Sequence, residues 1–178
     1  ANGGSASFSV MANTLRGVYG TDVLLATANS FTGSVLQADY NQKMAASMIM
    51  PNGLMSRQRT MTGAELKETV RAFVEGCEGG FVPFNRGSLP VVSGIAVEVK
   101  EAGGSYTLTG ITRNGQPLRD DDTVTVTCLA AENQMEALLA SDSGTSAGED
   151  AWVKDTWCDY VSGGGAALAE PENYMTLR

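Results

Sequence analysis

The apolar positions of this chain follow two rhythms, one of about 3.6 residues and one of two, which separate helix from strand. From Ser5 to Tyr19 the helical rhythm holds: Phe8, Met11, Ala12, Leu15, Val18 and Tyr19 share a face, Ser5 or Ser7 can cap the start, and Gly20 stops it. Asp22 to Thr27 is a short continuous apolar run between turn residues, as in a strand buried on both faces. Asn41 to Met50 returns to helix, with Met44, Met48 and Ile49 roughly on one side. Those methionines serve either as gap-filling core or as an adaptable binding surface. Met55 to Thr60 reads as a strand whose Arg57 and Arg59 share a face, a solvated edge that charge protects from aberrant pairing.

The stretch from Met61 to Leu129 organises the rest. Thr62 and Glu65 have the spacing of a reciprocal capping box. Leu66, Val70, Phe73 and Val74 then form one apolar stripe, and Gly76 is placed to end the helix. The period changes at Ile95, Val97 and Val99, which alternate with Ala96, Glu98 and Lys100. Gly103-Gly104 turns the chain, Tyr106 to Thr109 returns, and Asn114-Gly115 is a second tight turn. Val124 to Cys128 follows the Asp120-Asp121-Asp122 corner as a third strand, so the expectation is a helix followed by an antiparallel meander. Beyond it, Met135, Leu138 and Leu139 predict a helix, and Ser141 to Gly148 a polar loop. Trp152, Val153, Trp157, Tyr160 and Val161 predict a last amphipathic helix, both tryptophans in its buried stripe, closed by Gly163-Gly164-Gly165.

Composition narrows the function. With 178 residues, 43% of them hydrophobic and 18% charged, the chain is one globular domain. Ala1-Asn2-Gly3-Gly4 reads as an engineered boundary or a processed end and not as a signal peptide, and no apolar run approaches the roughly 20 residues of a membrane span. A net charge of -8 argues against nucleic acid as a partner and is what solubility alone would ask for. The chain has no histidine. That excludes Ser-His-Asp and Cys-His nucleophiles and removes the commonest metal ligand. Cys77, Cys128 and Cys158 lack metal-ligand spacing; Cys128 is in phase with Val124 and Val126 and so belongs in the core, while a Cys128–Cys158 bridge stays open. The loop from Glu78 to Pro90 is the best binding candidate. Phe81 and Phe84 either stack on a base or sugar or tuck the loop onto the domain, and Arg86 can meet a phosphate.

Thr62-Gly63 with Leu66, then Val92-Ser93-Gly94, then Asn114-Gly115-x-Pro117-Leu118 leading to Thr123-Val124, stand in the order of the C-terminal domain of the 5'-nucleotidase family, which this chain resembles. The resemblance implies a single α+β domain over residues 1–178: helices packed on a mixed β-sheet, with an antiparallel meander. It makes Asp22 to Thr27 a strand leading into a ligand loop at Asn29, and Asn173 to Leu177 a short terminal strand. The motifs depart from the family's in four places. Gly33 or Ser34 stands where a loop arginine is expected, Pro51-Asn52-Gly53 replaces Pro-Phe-Gly-Asn, Leu89 replaces a stacking aromatic, and Glu132-Asn133-Gln134-Met135 replaces the second aromatic and its Gly-Gly-Asp-Gly.

The resemblance gives Asn29, Asn52, Phe84, Arg86 and Asn133 as substrate-binding candidates, with no catalytic residue and no metal ligand in this chain. It implies that divalent metals sit in a separate N-terminal metallophosphoesterase domain of the same protein, the partner of this one. The implied ligand is a nucleotide or nucleoside, and the implied location is extracellular, periplasmic or cell-surface. Two functions follow. One is the substrate-binding domain of an exported two-domain hydrolase; the other is a cell-surface module that grips protein or glycan and has lost nucleotide recognition.

Overall fold

Strand β1, Val23–Ala26, is buried at all four positions. Its continuous apolar run leaves no face for solvent, so strands and helices must cover it on every side. β3 (Val91–Ser93) pairs antiparallel on one edge, and β7 (Thr123–Ala131) runs parallel on the other, with Val23 opposite Val126 and Ala26 opposite Leu129. A computed structural model describes this architecture for residues 6–27, 30–31, 47, 49, 53–75, 90–139, 143–163 and 174–178.

The first sheet continues antiparallel from β7 to β2 (Leu54–Thr62), which in turn pairs with β8 (Thr145–Ser146) and β9 (Ala151–Trp152), giving the order β3-β1-β7-β2-β8 with β9 also on β2. A second sheet has the order β10-β4-β5-β6: Met175–Leu177, Ala96–Ala102, Ser105–Arg113 and Gln116–Pro117. The terminal strand β10 lies parallel to β4, as the expected strand at Asn173 to Leu177 requires. Helix α1 (Ala6–Tyr19) packs on β1 and β3, α2 (Gly63–Glu75) spans β2 and β5, α3 (Glu132–Leu138) packs on β7 and β2, and α4 (Val153–Ser162) covers β2 and β9. This is the α+β arrangement expected, built on two sheets.

The capping box forms as predicted. The Thr62 N–H donates to Glu65 Oε2 at 2.7 Å, and the Glu65 N–H donates to Thr62 Oγ1 at 3.3 Å. The next two donors of α2 find the acidic corner: Gly63 N–H reaches the Asp122 carbonyl at 2.7 Å and Ala64 N–H the Asp120 carbonyl at 3.1 Å. The approach is so close that a Cβ on residue 63 would stand 1.9 Å from the Arg119 carbonyl oxygen. Only glycine fits there, which explains the Thr-Gly pair physically.

Several expectations are corrected. The meander's third strand is the two-residue β6, not Val124 to Cys128. Pro117 brings no N–H to continue the ladder, so the chain turns at the Arg119–Asp122 corner and β7 enters the other sheet. β2 is no solvated edge, since it is paired on both sides, and Arg57 is clamped by Asp150 at 2.9 Å and Glu136 at 2.6 Å. Those partners lie 93 and 79 residues away in sequence, beyond the reach of local pattern. The polar loop from Ser141 to Gly148 contains β8. Trp157 is buried, but Trp152 precedes α4 in β9 and is 45% exposed, and Val18 leaves its stripe for the surface. Cys128 and Cys158 are thiols and not the two halves of a bridge, one on the central strand β7 and the other on α4. Of the helix expected from Asn41 to Met50 only Ser47 and the buried Ile49 are described; Gly76, the Phe81/Phe84 loop and Gly164-Gly165 lie outside the described residues.

Candidate functional site

Asn29, Asn52, Phe84 and Arg86 lie outside the described residues, and Asn133 stands in the first turn of α3. The strands that carry their neighbours are described, and the register decides where those strands end. Ala26 pairs with both Val91 and Leu129, and Leu54 pairs with Ala131. Thr27 N–H donates to the Leu129 carbonyl at 3.3 Å and Glu132 N–H to the Gly53 carbonyl at 3.4 Å. The chain therefore leaves β1 toward Asn29, enters β2 from Asn52, leaves β7 toward Asn133, and enters β3 from the loop of Phe84 and Arg86, all at one end of the first sheet. Strand ends that converge with loops on them are where open sheets carry ligands.

One residue at this end escaped the sequence reading. Gln134 is buried, yet its side-chain Nε2 has no partner among the described residues. Buried donors are nearly always paired. Gln134 follows the candidate Asn133 directly in α3. Its only sequence signal was an amide standing among apolar positions of a short helix.

The opposite end of the same sheet holds a polar network. Asp22 precedes β1, and its Oδ2 accepts the Thr125 N–H at 2.9 Å and hydroxyl at 3.0 Å, while Oδ1 accepts Arg113 Nη2 at 2.6 Å. Burial alone would raise the Asp22 carboxyl, but these two hydrogen bonds and the charges of Arg113 and Arg16 outweigh it and hold the group below its usual range. Arg16, near the end of α1, donates Nε to Ser93 Oγ at 2.8 Å, and Ser93 in turn donates to Asn13 Oδ1 at 2.5 Å. Gly94 follows at φ +83, where a Cβ would stand 2.0 Å from the Asp22 carbonyl oxygen. This network ties α1 and the first sheet to the base of the second. It also borders a cavity of about 310 Å³ that Arg16, Asp22, Arg113 and the Asn114-Gly115 turn help to line.

Solved structures of other proteins share this architecture. A 5'-nucleotidase precursor from Thermus thermophilus superposes with a TM-score of 0.65 at 14% identity, covering 97% of this chain and 34% of its own. The fold is that of a 5'-nucleotidase C-terminal domain. The NAD nucleotidase of Haemophilus influenzae gives 0.64 at 14% identity over 99% of this chain and 34% of its own. A sulfate thiohydrolase of Thermus thermophilus gives 0.64 at 11% identity over 98% and 32%. This 5'-nucleotidase-like domain thus spans about a third of the length of the structures it matches. No family model and no curated protein matches the sequence.

The resemblance puts its pair of metal ions in a separate domain, and the donor set of this chain does not fit them. The chain has no histidine, and among the described residues no three His, Cys, Asp or Glu side chains are grouped to hold an ion. Among the described residues no helix is long and apolar enough to cross a membrane, which leaves strand-built crossing untouched.

Proposed function

We propose that this chain is the substrate-binding domain of an exported two-domain 5'-nucleotidase-like phosphoric ester hydrolase and is not catalytic alone. The observation that carries the reading is the register: the described neighbours of Asn29, Asn52, Asn133 and the Phe84/Arg86 loop meet at one end of the first sheet. Two of the matched structures are by name a 5'-nucleotidase precursor and an NAD nucleotidase, which supports a nucleoside-containing ligand, and the word precursor supports export. In this division of labour a metallophosphoesterase domain N-terminal to this one holds the divalent metals. This domain presents the nucleoside, Phe84 stacking on the base and Arg86 meeting the phosphate. Because Leu89 and Gly33 or Ser34 stand where the family has an aromatic and an arginine, the ligand differs from a plain nucleotide.

A panel of nucleosides, nucleotides, UDP-sugars and simple glycans, read by thermal shift, tests this, since a ligand that binds only the folded state raises its stability. A shift with one nucleotide class that disappears in Phe84→Ala or Arg86→Ala is the expected result. The altered motifs favour a second reading, a non-catalytic surface module that grips protein or glycan. A panel silent to every nucleotide class but responsive to glycans would establish that reading over the first.

A further inference from the structure

The cavity at the far end of the first sheet belongs to neither reading. Its charge is unbalanced: two guanidiniums, Arg16 and Arg113, flank the single carboxylate of Asp22. Both oxygens of that carboxylate are already occupied, by Thr125 and by Arg113 itself. Each guanidinium has five N–H donors. Arg16 places Nε on Ser93 and Nη1 at 3.5 Å from the Asp22 carbonyl, and Arg113 places Nη2 on Asp22. The remaining donors of both have no protein partner among the described residues. Asp122, also within electrostatic reach of Arg113, is engaged by the Arg119 guanidinium. The third wall is the Asn114-Gly115 turn, with both residues in the left-handed region at φ 52 and 75. Gly94 keeps the fourth side open, because a Cβ there would also press on Arg16 Cδ at 3.2 Å.

We propose that this cavity binds a small phosphoryl anion, at a site separate from the predicted nucleotide end. Planar guanidinium forks match the oxygens of a phosphoryl group, and two of them converge here with one positive charge in excess. A volume of about 310 Å³ is roughly ten times the share of one water, enough for the anion and a short organic substituent. Free phosphate and a phosphate ester share this chemistry. The proposal does not rest on the nucleotide reading, and either can fail without the other.

The test is an NMR titration of the whole 178-residue chain with inorganic phosphate, a second arm with glycerol phosphate, and sodium chloride at matched ionic strength. Saturable shifts of the Gly94, Asn114 and Gly115 amides at millimolar phosphate, absent with chloride and absent at the remote Gly103-Gly104 turn, are expected. Tighter binding of glycerol phosphate would assign the site to an ester, and equal binding to the anion alone. Asn114→Asp keeps a residue tolerant of the left-handed turn and leaves the Asp22 network intact, but adds a negative charge at the mouth. It is expected to weaken phosphate by about tenfold. Arg16→Gln, which leaves the Asp22–Arg113 pair in place, is expected to weaken it similarly. Shifts that chloride reproduces, or unchanged affinity in a folded Asn114→Asp variant, would overturn the proposal.

Discussion

Gly94 does its work by having no side chain. At φ +83, with the Asp22 carbonyl oxygen 2.0 Å from where a Cβ would sit, it lets the chain pass from the first sheet to the second against β1. Gly94→Ala should therefore lower stability by about 2 kcal/mol or more, combining left-handed strain with a forced backbone shift. Chemical denaturation measures it, and an unchanged midpoint would refute the account. Asp22, beside it, is a carboxylate whose folded pKa lies below its unfolded one. Its contribution is present above the unfolded value of about 3.9 and is lost as pH falls through the lower folded value. Asp22→Asn should thus be less stable than wild type at neutral pH, and the gap should narrow below about pH 4 as the wild-type carboxyl protonates. Cys128 is the opposite case. Burial pushes its thiol up to about 12, against the lowering pull of Arg59 and Arg57. It is protonated at neutral pH, and a thiol reagent should label it only as fast as the chain unfolds.

At the scale of elements, α2 is the piece most fully written in local sequence. Its capping residues, apolar stripe and initiating glycine are contiguous, and the buried positions Leu66, Val70, Phe73 and Val74 are those its period predicts. The Glu65 carboxylate also accepts the Gly144 N–H at 3.1 Å, so the helix start anchors the segment that leads into β8. Thr62→Ala should cost about 1 kcal/mol, the usual value of a lost cap. Equilibrium urea unfolding would reveal it; no change would mean that the corner carbonyls of Asp120 and Asp122 hold the helix start alone. The meander was legible only in part. The hairpin β4–β5 and the Asn114-Gly115 turn follow from alternation and left-handed residues, but the exit of β7 into the other sheet does not. A strand's period says which of its faces is buried, not which neighbour it pairs with.

At the scale of the molecule, the two sheets share one core that runs from Met11 and Leu15 of α1 through β1 and β7 to Trp157 of α4. The tryptophans test that description. Trp157 is 1% exposed and Trp152 45% exposed. Trp157→Ala should cost about 3–5 kcal/mol, as a large deletion from a packed core does. Trp152→Ala should change stability by no more than about 0.5 kcal/mol, as surface substitutions do. Similar losses from both would return Trp152 to the buried stripe that the spacing suggested. The spacing misled because Trp152 lies one residue before the helix begins, where the helical period does not apply.

The sequence alone determined most of the longer elements and the class of fold. Helical and strand periods, the capping box, the Asn-Gly turn and the order of the Thr-Gly, Val-Ser-Gly and Asn-Gly-x-Pro-Leu motifs are local signals, set by bonds and contacts within a few residues. The lack of histidine likewise excluded Ser-His-Asp and Cys-His nucleophiles before any fold was known. Tertiary structure alone decided that there are two sheets, that β2 is interior, that Arg57 meets Asp150 and Glu136, and that Arg16, Asp22 and Arg113 border one cavity. Each of these joins residues tens of positions apart. Such partners are chosen by burial and charge compensation across the whole chain, and no window of sequence contains both halves of the contact.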